Sequence, residues 1–245
     1  VFLPGILSVF GVITFLRLPQ ILGQSGPFYF TLILFVGILI NLLTAFSIAS
    51  TVTNFNLKSG GVYTLISRCF GAELGIAVSL PLYFSQAINI SFCVMGLLEI
   101  LEPIIVFQYK ISVGIVILIA LLLFSLLPAK LVRFLQFLVF LSLVLAFSFI
   151  AYSIDHQVVS AGTGFPKKPF WQIFAAFFPA ITGFESGLFS VDQLKCHKKS
   201  FPIGTILTVL ISFVIYLAFS IFLTTYVDAT QLFMQHQILL QIVKP

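Results

Sequence analysis

A chain of 245 residues that is 60% hydrophobic and 8% charged lacks the polar groups to cover a water-facing surface, since soluble domains carry about 25% charged residues. Its 12 Lys+Arg against 7 Asp+Glu fall singly or in pairs between apolar runs, without the basic stripe of a nucleic-acid binder, so no nucleic-acid partner is expected. The lipid bilayer remains as solvent. Runs such as 30–43 and 135–150 are apolar on every side instead of alternating, so the spanning elements are helices and not barrel strands.

Seven spans of roughly 20 residues are predicted, at about 3–24, 27–53, 72–98, 111–128, 132–153, 170–194 and 203–227. The first holds Pro4-Gly5, then Ser8-Val9-Phe10-Gly11-Val12-Ile13-Thr14, with Arg17 following. Between the second and third, 59–70 sets Gly60-Gly61 ahead of Tyr63 and Arg68 and reads as an interfacial helix. The stretch 155–169 is the longest connector. The sixth span holds Phe177-Phe178-Pro179-Ala180-Ile181-Thr182-Gly183-Phe184-Glu185-Ser186-Gly187.

The first and sixth spans differ from the others. Proline removes an amide donor and glycine lowers helix stability by about 1 kcal/mol, so such segments unwind where they line a cavity. A half-helix N-terminus then favours anions and a half-helix C-terminus favours cations. Two interrupted spans, each opening a five-helix half, point to a transporter site near the membrane midplane. The domain reading is one transmembrane unit over 1–245, with 1–153 as the first repeat and 170–227 as helices six and seven of the second.

Loop charges set orientation. With a cytoplasmic N-terminus, Lys58, Arg68, Lys130, Arg133, Lys195, Lys198 and Lys199 lie inside and Lys110, Lys167, Lys168 and Lys244 outside. That balance favours an N-terminus inside, in a plasma membrane of the bacterial inner-membrane kind. Cys69, Cys93 and Cys196 form no CxxC pair, and His156, His197 and His236 are scattered in loops, so neither metal nor cofactor is expected. No nucleophile–base pair or phosphate-binding loop is present, so the chain is not read as an enzyme. The 30 Phe read as mostly lipid-facing bulk.

Four segments carry a resemblance. Val1-Phe2-Leu3-Pro4 through Arg17-Leu18 resembles the first helix of the cation-chloride cotransporters, in the amino acid–polyamine–organocation (APC) superfamily. Ser59-Gly60-Gly61-Val62-Tyr63 through Arg68, with Gly71-Ala72-Glu73, is similar to the entry into their third helix. Phe177 to Gly183 resembles their broken sixth helix, and Phe201-Pro202-Ile203-Gly204-Thr205 the start of their seventh. The resemblance implies an all-α membrane protein with the inverted five-plus-five repeat of the LeuT/APC type, helices one and six discontinuous. The eighth to tenth helices lie beyond this chain, which reads as C-terminally incomplete.

The same resemblance implies ligand sites. Gly11, Val12 and Ile13 match the family's chloride-cradling turn. Pro179 and Thr182 match two groups of its potassium site, while Ser8 and Cys93 stand where the family has an Asn and a Tyr. A thiol is a poor ligand for potassium, a hard cation that prefers oxygen. The second chloride turn is here Gly183-Phe184-Glu185, and its carboxylate either repels an anion or takes its place. Gly-Phe-Glu-Ser also resembles amino acid and amine permeases of the superfamily, where a Glu at this position couples gating to protonation. Glu185, between apolar neighbours, is therefore read either as a protonatable coupling group or as a structural hydrogen-bond acceptor.

In the cotransporters a matching Arg and Glu pair across the outer mouth, which implies an outer gate from Arg17 and Glu99; the plain alternative is an arginine reaching the headgroups and a solvated acid. The expected function is a secondary active permease moving chloride, potassium or sodium by alternating access, as a monomer or homodimer. The near rival is a proton-coupled permease for small amino acids or amines. Ion channels and non-transporting remnants are the rivals from other classes.

Overall fold

The computed structural model describes residues 1–54, 61–102, 107–153, 168–194 and 196–227, and its regular elements there are all helical. The features expected at Lys58 to Gly60, His156, Lys167, Lys195, His236 and Lys244 lie outside the described residues. The α-helices are α1 (Phe2–Val9), α2 (Val12–Leu16), α3 (Leu18–Asn54), α4 (Gly61–Phe70), α5 (Ala72–Leu101), α6 (Lys110–Ser125), α7 (Ala129–Ser153), α8 (Phe170–Ile181) and α9 (His197–Tyr226). Two 3-10 segments, Phe107–Tyr109 and Phe184–Gln193, join them.

Among the described residues four helices are long and apolar enough to cross a membrane: Leu18–Asn54, Ala72–Leu101, Ala129–Phe149 and Lys198–Tyr226. Phe2–Leu16 and Lys110–Ser125 are apolar but shorter. The chain is a multi-pass membrane protein.

Helix α3 is two arms joined at a kink. Gly26 has φ 73° and ψ 162°, which is not helical, and Pro27 follows it. A side chain at that φ would meet the backbone, and proline lacks the N–H that would continue the ladder, so glycine and proline together turn the chain here.

The centre of the molecule is built by α3, which packs on α8 and α9, and by α1, which packs on α9, on α7 and on the segment Phe184–Gln193. Ile6 and Val9 from α1, Phe30 and Ile33 from α3, Phe177 from α8 and Tyr216 from α9 are all buried in one cluster. Lipid tails are as apolar as leucine, so close packing and buried hydrogen bonds hold such helices together, more than removal from water does. The outer helices show the opposite pattern. Phe84 on α5, Leu122 on α6 and Leu145 on α7 are exposed, as on a surface that faces lipid. The phenylalanines divide between the two environments. Phe28, Phe35, Phe84 and Phe134 are among those exposed on the outside, while Phe30, Phe177 and Phe201 are fully buried and pack in the interior.

One buried polar side chain ties α3 to α8. Asn41 donates from Nδ2 to the carbonyl oxygen of Ile181 at 2.7 Å, and Asn41 itself is 3% exposed. Asn41→Leu strands that carbonyl without its donor, and is expected to cost about 1–3 kcal/mol. A lower melting temperature in detergent is the measurement; an unchanged one means that the carbonyl finds another donor.

Candidate functional site

The two interruptions are local failures of helix geometry at the positions where the sequence weakens it. Helix α1 ends at Val9. Phe10 leaves helical geometry at φ −86° and ψ 60° while its N–H still reaches the Ile6 carbonyl at 3.0 Å, and α2 begins at Val12. Helix α8 ends at Ile181, with Pro179 in its last turn. Thr182 is extended (φ −86°, ψ 174°), Gly183 is left-handed (φ 109°, ψ −8°), and the 3-10 segment starts at Phe184.

These two breaks meet. A Cβ on Gly183 would lie 2.6 Å from Ser8 Oγ and 3.2 Å from Ser8 Cβ. Glycine is therefore required at 183 for two separate reasons, its backbone φ and the closeness of α1.

The carbonyls that the α8 break leaves without intrahelical donors are served by side chains. Thr182 Oγ1 donates to the Pro179 oxygen at 2.9 Å, Asn41 donates to Ile181, and the Tyr216 hydroxyl lies 3.0 Å from the Ala180 oxygen. The same hydroxyl lies 3.1 Å from the Val9 oxygen at the end of α1, and 2.7 Å from Thr14 Oγ1 on α2. Tyr216 is fully buried and was not among the residues expected from sequence. A signal for it exists. Thr205, Thr208, Ser212, Tyr216 and Ser220 recur every three or four residues along α9, and all five are buried.

The amide side of the α8 break also has a partner within the chain. The Gly183 N–H donates to Glu185 Oε2 at 3.1 Å. A carboxylate thus lies on the backbone amide of the turn that, by resemblance, would face an anion. Phe184, between them, is 3% exposed and packs its ring with Ile38, Ala45 and Val209.

The remaining expected residues are placed as follows. Arg17 stands between α2 and α3, and its guanidinium donates to Glu99 Oε2 on α5 at 3.0 Å, with side chains 39% and 27% exposed. The Gly11 carbonyl accepts from the Thr14 N–H at 3.2 Å, and the backbone of Val12 and Ile13 forms the first turn of α2, whose leading N–H groups have no intrahelical acceptor. Ser8 is exposed at the junction with Gly183, and Pro179 and Thr182 are joined by their hydrogen bond. Cys93 is exposed on α5, a helix that packs chiefly on α4, α6 and α2, so it stands apart from that group.

Comparison with known proteins decides the family. The family model for amino acid permeases matches residues 1–239. The chain belongs to the amino acid permease family. Members of this family are membrane transporters and not enzymes. Within the APC superfamily the chain is a distant relative of the cation-chloride cotransporters. It is 29% identical over 247 residues to human solute carrier family 12 member 3, covering 87% of this chain and 24% of that protein. It is 28% identical over 250 residues to the bumetanide-sensitive sodium-(potassium)-chloride cotransporter of Manduca sexta, covering 88% and 24%. It is 28% identical over 282 residues to solute carrier family 12 member 9 of Xenopus laevis, covering 95% and 31%. This permease-family chain thus spans about a quarter to a third of the length of these relatives.

Proposed function

We propose that the chain forms the substrate-binding part of a secondary active transporter that works by alternating access, with its site between the breaks after α1 and α8. The observation that carries this reading is the contact of the two breaks, with Ser8 against Gly183. At the two facing breaks the leading amides of α2 remain as donors, and the carbonyls at the end of α8 keep a second lone pair beside the side chains that already bond them, which suits a site for small ions or zwitterions. In this reading there are seven spans. The first runs from α1 through α2 to the first arm of α3, α6 crosses as the fourth, and α8 with Phe184–Gln193 forms the sixth. The N-terminus is cytoplasmic, and the spans follow the inverted five-plus-five arrangement.

The substrate reading is a chloride-linked alkali cation, with the α2 turn at Gly11, Val12 and Ile13 receiving the anion and Ser8, Pro179 and Thr182 near the cation. The cotransporter resemblance and the kinship with the Manduca protein support it. Glu185 favours a second reading, a proton-coupled amino acid or amine permease, because its carboxylate already occupies the Gly183 amide. Uptake of radioactive rubidium, chloride and a mixed amino acid pool into proteoliposomes separates the two. Rubidium and chloride uptake that depend on each other establish the first. Amino acid uptake driven by a proton gradient establishes the second. Single-channel currents would replace both with a pore, and crosslinking in the same vesicles reports whether the chain works as a homodimer.

Arg17 and Glu99 act in this reading as the outer gate. A partly exposed ion pair contributes only about 0–1 kcal/mol to stability. Arg17→Ala is therefore expected to leave the melting temperature nearly unchanged while lowering uptake and raising the outward reactivity of a thiol introduced at the site by Ser8→Cys. Unchanged uptake together with unchanged thiol reactivity would remove the gate.

A further inference from the structure

A phenol has one proton, and Tyr216 places its oxygen beside three others: Thr14 Oγ1 at 2.7 Å, the Ala180 carbonyl at 3.0 Å and the Val9 carbonyl at 3.1 Å. When the Thr14 hydroxyl donates to the phenol oxygen, the phenol proton goes to one of the two carbonyls. When the phenol donates to Thr14, neither carbonyl receives it. At most one of Val9 and Ala180 is served at any moment. Both carbonyls lie in the final turn of a half-helix, where intrahelical donors run out and partial negative charge collects. The phenol is thus the common donor to the ends of two different half-helices, and it reaches them from a third helix.

We propose that Tyr216 is a positioning residue that latches the end of α1 to the end of α8, its single proton shared between the two carbonyls, and that the latch releases one end when the two part during transport. The proposal rests on the alternating-access reading, but it concerns the movement and not the substrate. Two features support a device of this kind over a simple packing role. The ring is already held between Phe10 and Phe177, with centroids 5.2 and 5.5 Å away, so the hydroxyl is not needed to fill space. Three partners on one hydroxyl also mean that losing any one leaves another within reach, which lets the ends separate without stranding the phenol.

The test is local opening measured by thiol chemistry. Val9 is 2% exposed at the end of α1, so the thiol introduced by Val9→Cys reacts only when the junction opens. Val94, 5% exposed on α5, gives a control by Val94→Cys. Reaction with a maleimide is followed at each position by peptide mass spectrometry, in the chain reconstituted in lipid. Adding Tyr216→Phe, which keeps the ring, is expected to raise the rate at position 9 about five-fold, the shift that loss of one ordinary hydrogen bond gives. The rate at position 94 is expected to stay unchanged. Should Tyr216→Phe fail to fold, Thr14→Val serves instead: it removes the competing acceptor, leaves the phenol proton to the two carbonyls and is expected to lower the rate at position 9 about two-fold, an unchanged rate overturning the latch. With Tyr216→Phe, equal rises at both positions would mean that the hydroxyl merely supports the whole fold, and no rise would mean that it holds nothing; either result overturns the latch. A rise confined to position 9 supports it even where no rubidium, chloride or amino acid uptake is found, in which case the transport reading alone falls.

Discussion

Gly183→Ala is expected to abolish uptake and to lower the melting temperature of the chain in detergent. A residue with a Cβ held at φ 109° is strained by about 1–3 kcal/mol. The new methyl also lands 2.6 Å from Ser8 Oγ, 3.2 Å from its Cβ and 3.3 Å from its carbonyl carbon. Rotating the serine removes the first contact only, so α1 must withdraw, at an overpacking cost of about 1–3 kcal/mol. The two costs separate in a double substitution. Ser8→Gly in the Gly183→Ala background removes the side-chain contacts and leaves the backbone strain, so part of the melting temperature returns. Uptake stays low if Ser8 touches substrate. A Gly183→Ala chain that melts and transports as the original does would mean that α1 and the turn after α8 are not in contact during the cycle.

Glu185→Gln is expected to lower uptake about ten-fold and, on the proton-coupled reading, to flatten its dependence on pH. The glutamine oxygen still accepts from the Gly183 N–H, so the 3.1 Å contact survives in form. What disappears is the charge, and hydrogen bonds to charged groups contribute about 1.5–3 kcal/mol against about 1 kcal/mol for neutral ones. Glu185→Ala empties the amide altogether. If the carboxylate stands in for an anion, Glu185→Ala acquires a dependence on chloride that the parent chain lacks, because a free anion then takes the vacated N–H. A pH profile identical to the parent in Glu185→Gln rejects proton coupling through this residue. Chloride independence in Glu185→Ala rejects the stand-in reading. The two substitutions therefore test separate roles of one side chain.

Much of the helical organisation was open to sequence reading because the relevant physics is local. An apolar run long enough to span, or a Gly-Pro pair at 26 and 27, acts through its own backbone and needs no distant partner. Arg17 in an apolar setting calls for an acid, and few acids are available along the chain. Tyr216 was hidden for the converse reason. Its partners Val9 and Thr14 lie more than 200 residues away, and α9 is so uniformly apolar that no hydrophobic stripe reveals which side turns inward. Only its own hydroxyl residues mark that face. Asn41 bridges α3 to α8, but the carbonyl it serves becomes available only because α8 stops at Ile181, which is a property of another span. Four side chains act at the α8 break, and each answers to a backbone group that a continuous helix would have satisfied itself.

Helix α7 meets α1 along a seam of Phe140, Leu143 and Phe147, with Phe147 edge-on to Phe10 at 5.8 Å, while Ser142 and Ser148 bond back into their own helix. The α3–α8–α9 unit is pinned by directed bonds at fixed points. The α7 seam is a contact between ring edges and methyl groups, which have no preferred partner and tolerate small axial displacements. Contacts of that kind would let α1 shift along α7 without breaking a directed bond, in contrast to the fixed points that hold α3, α8 and α9 together.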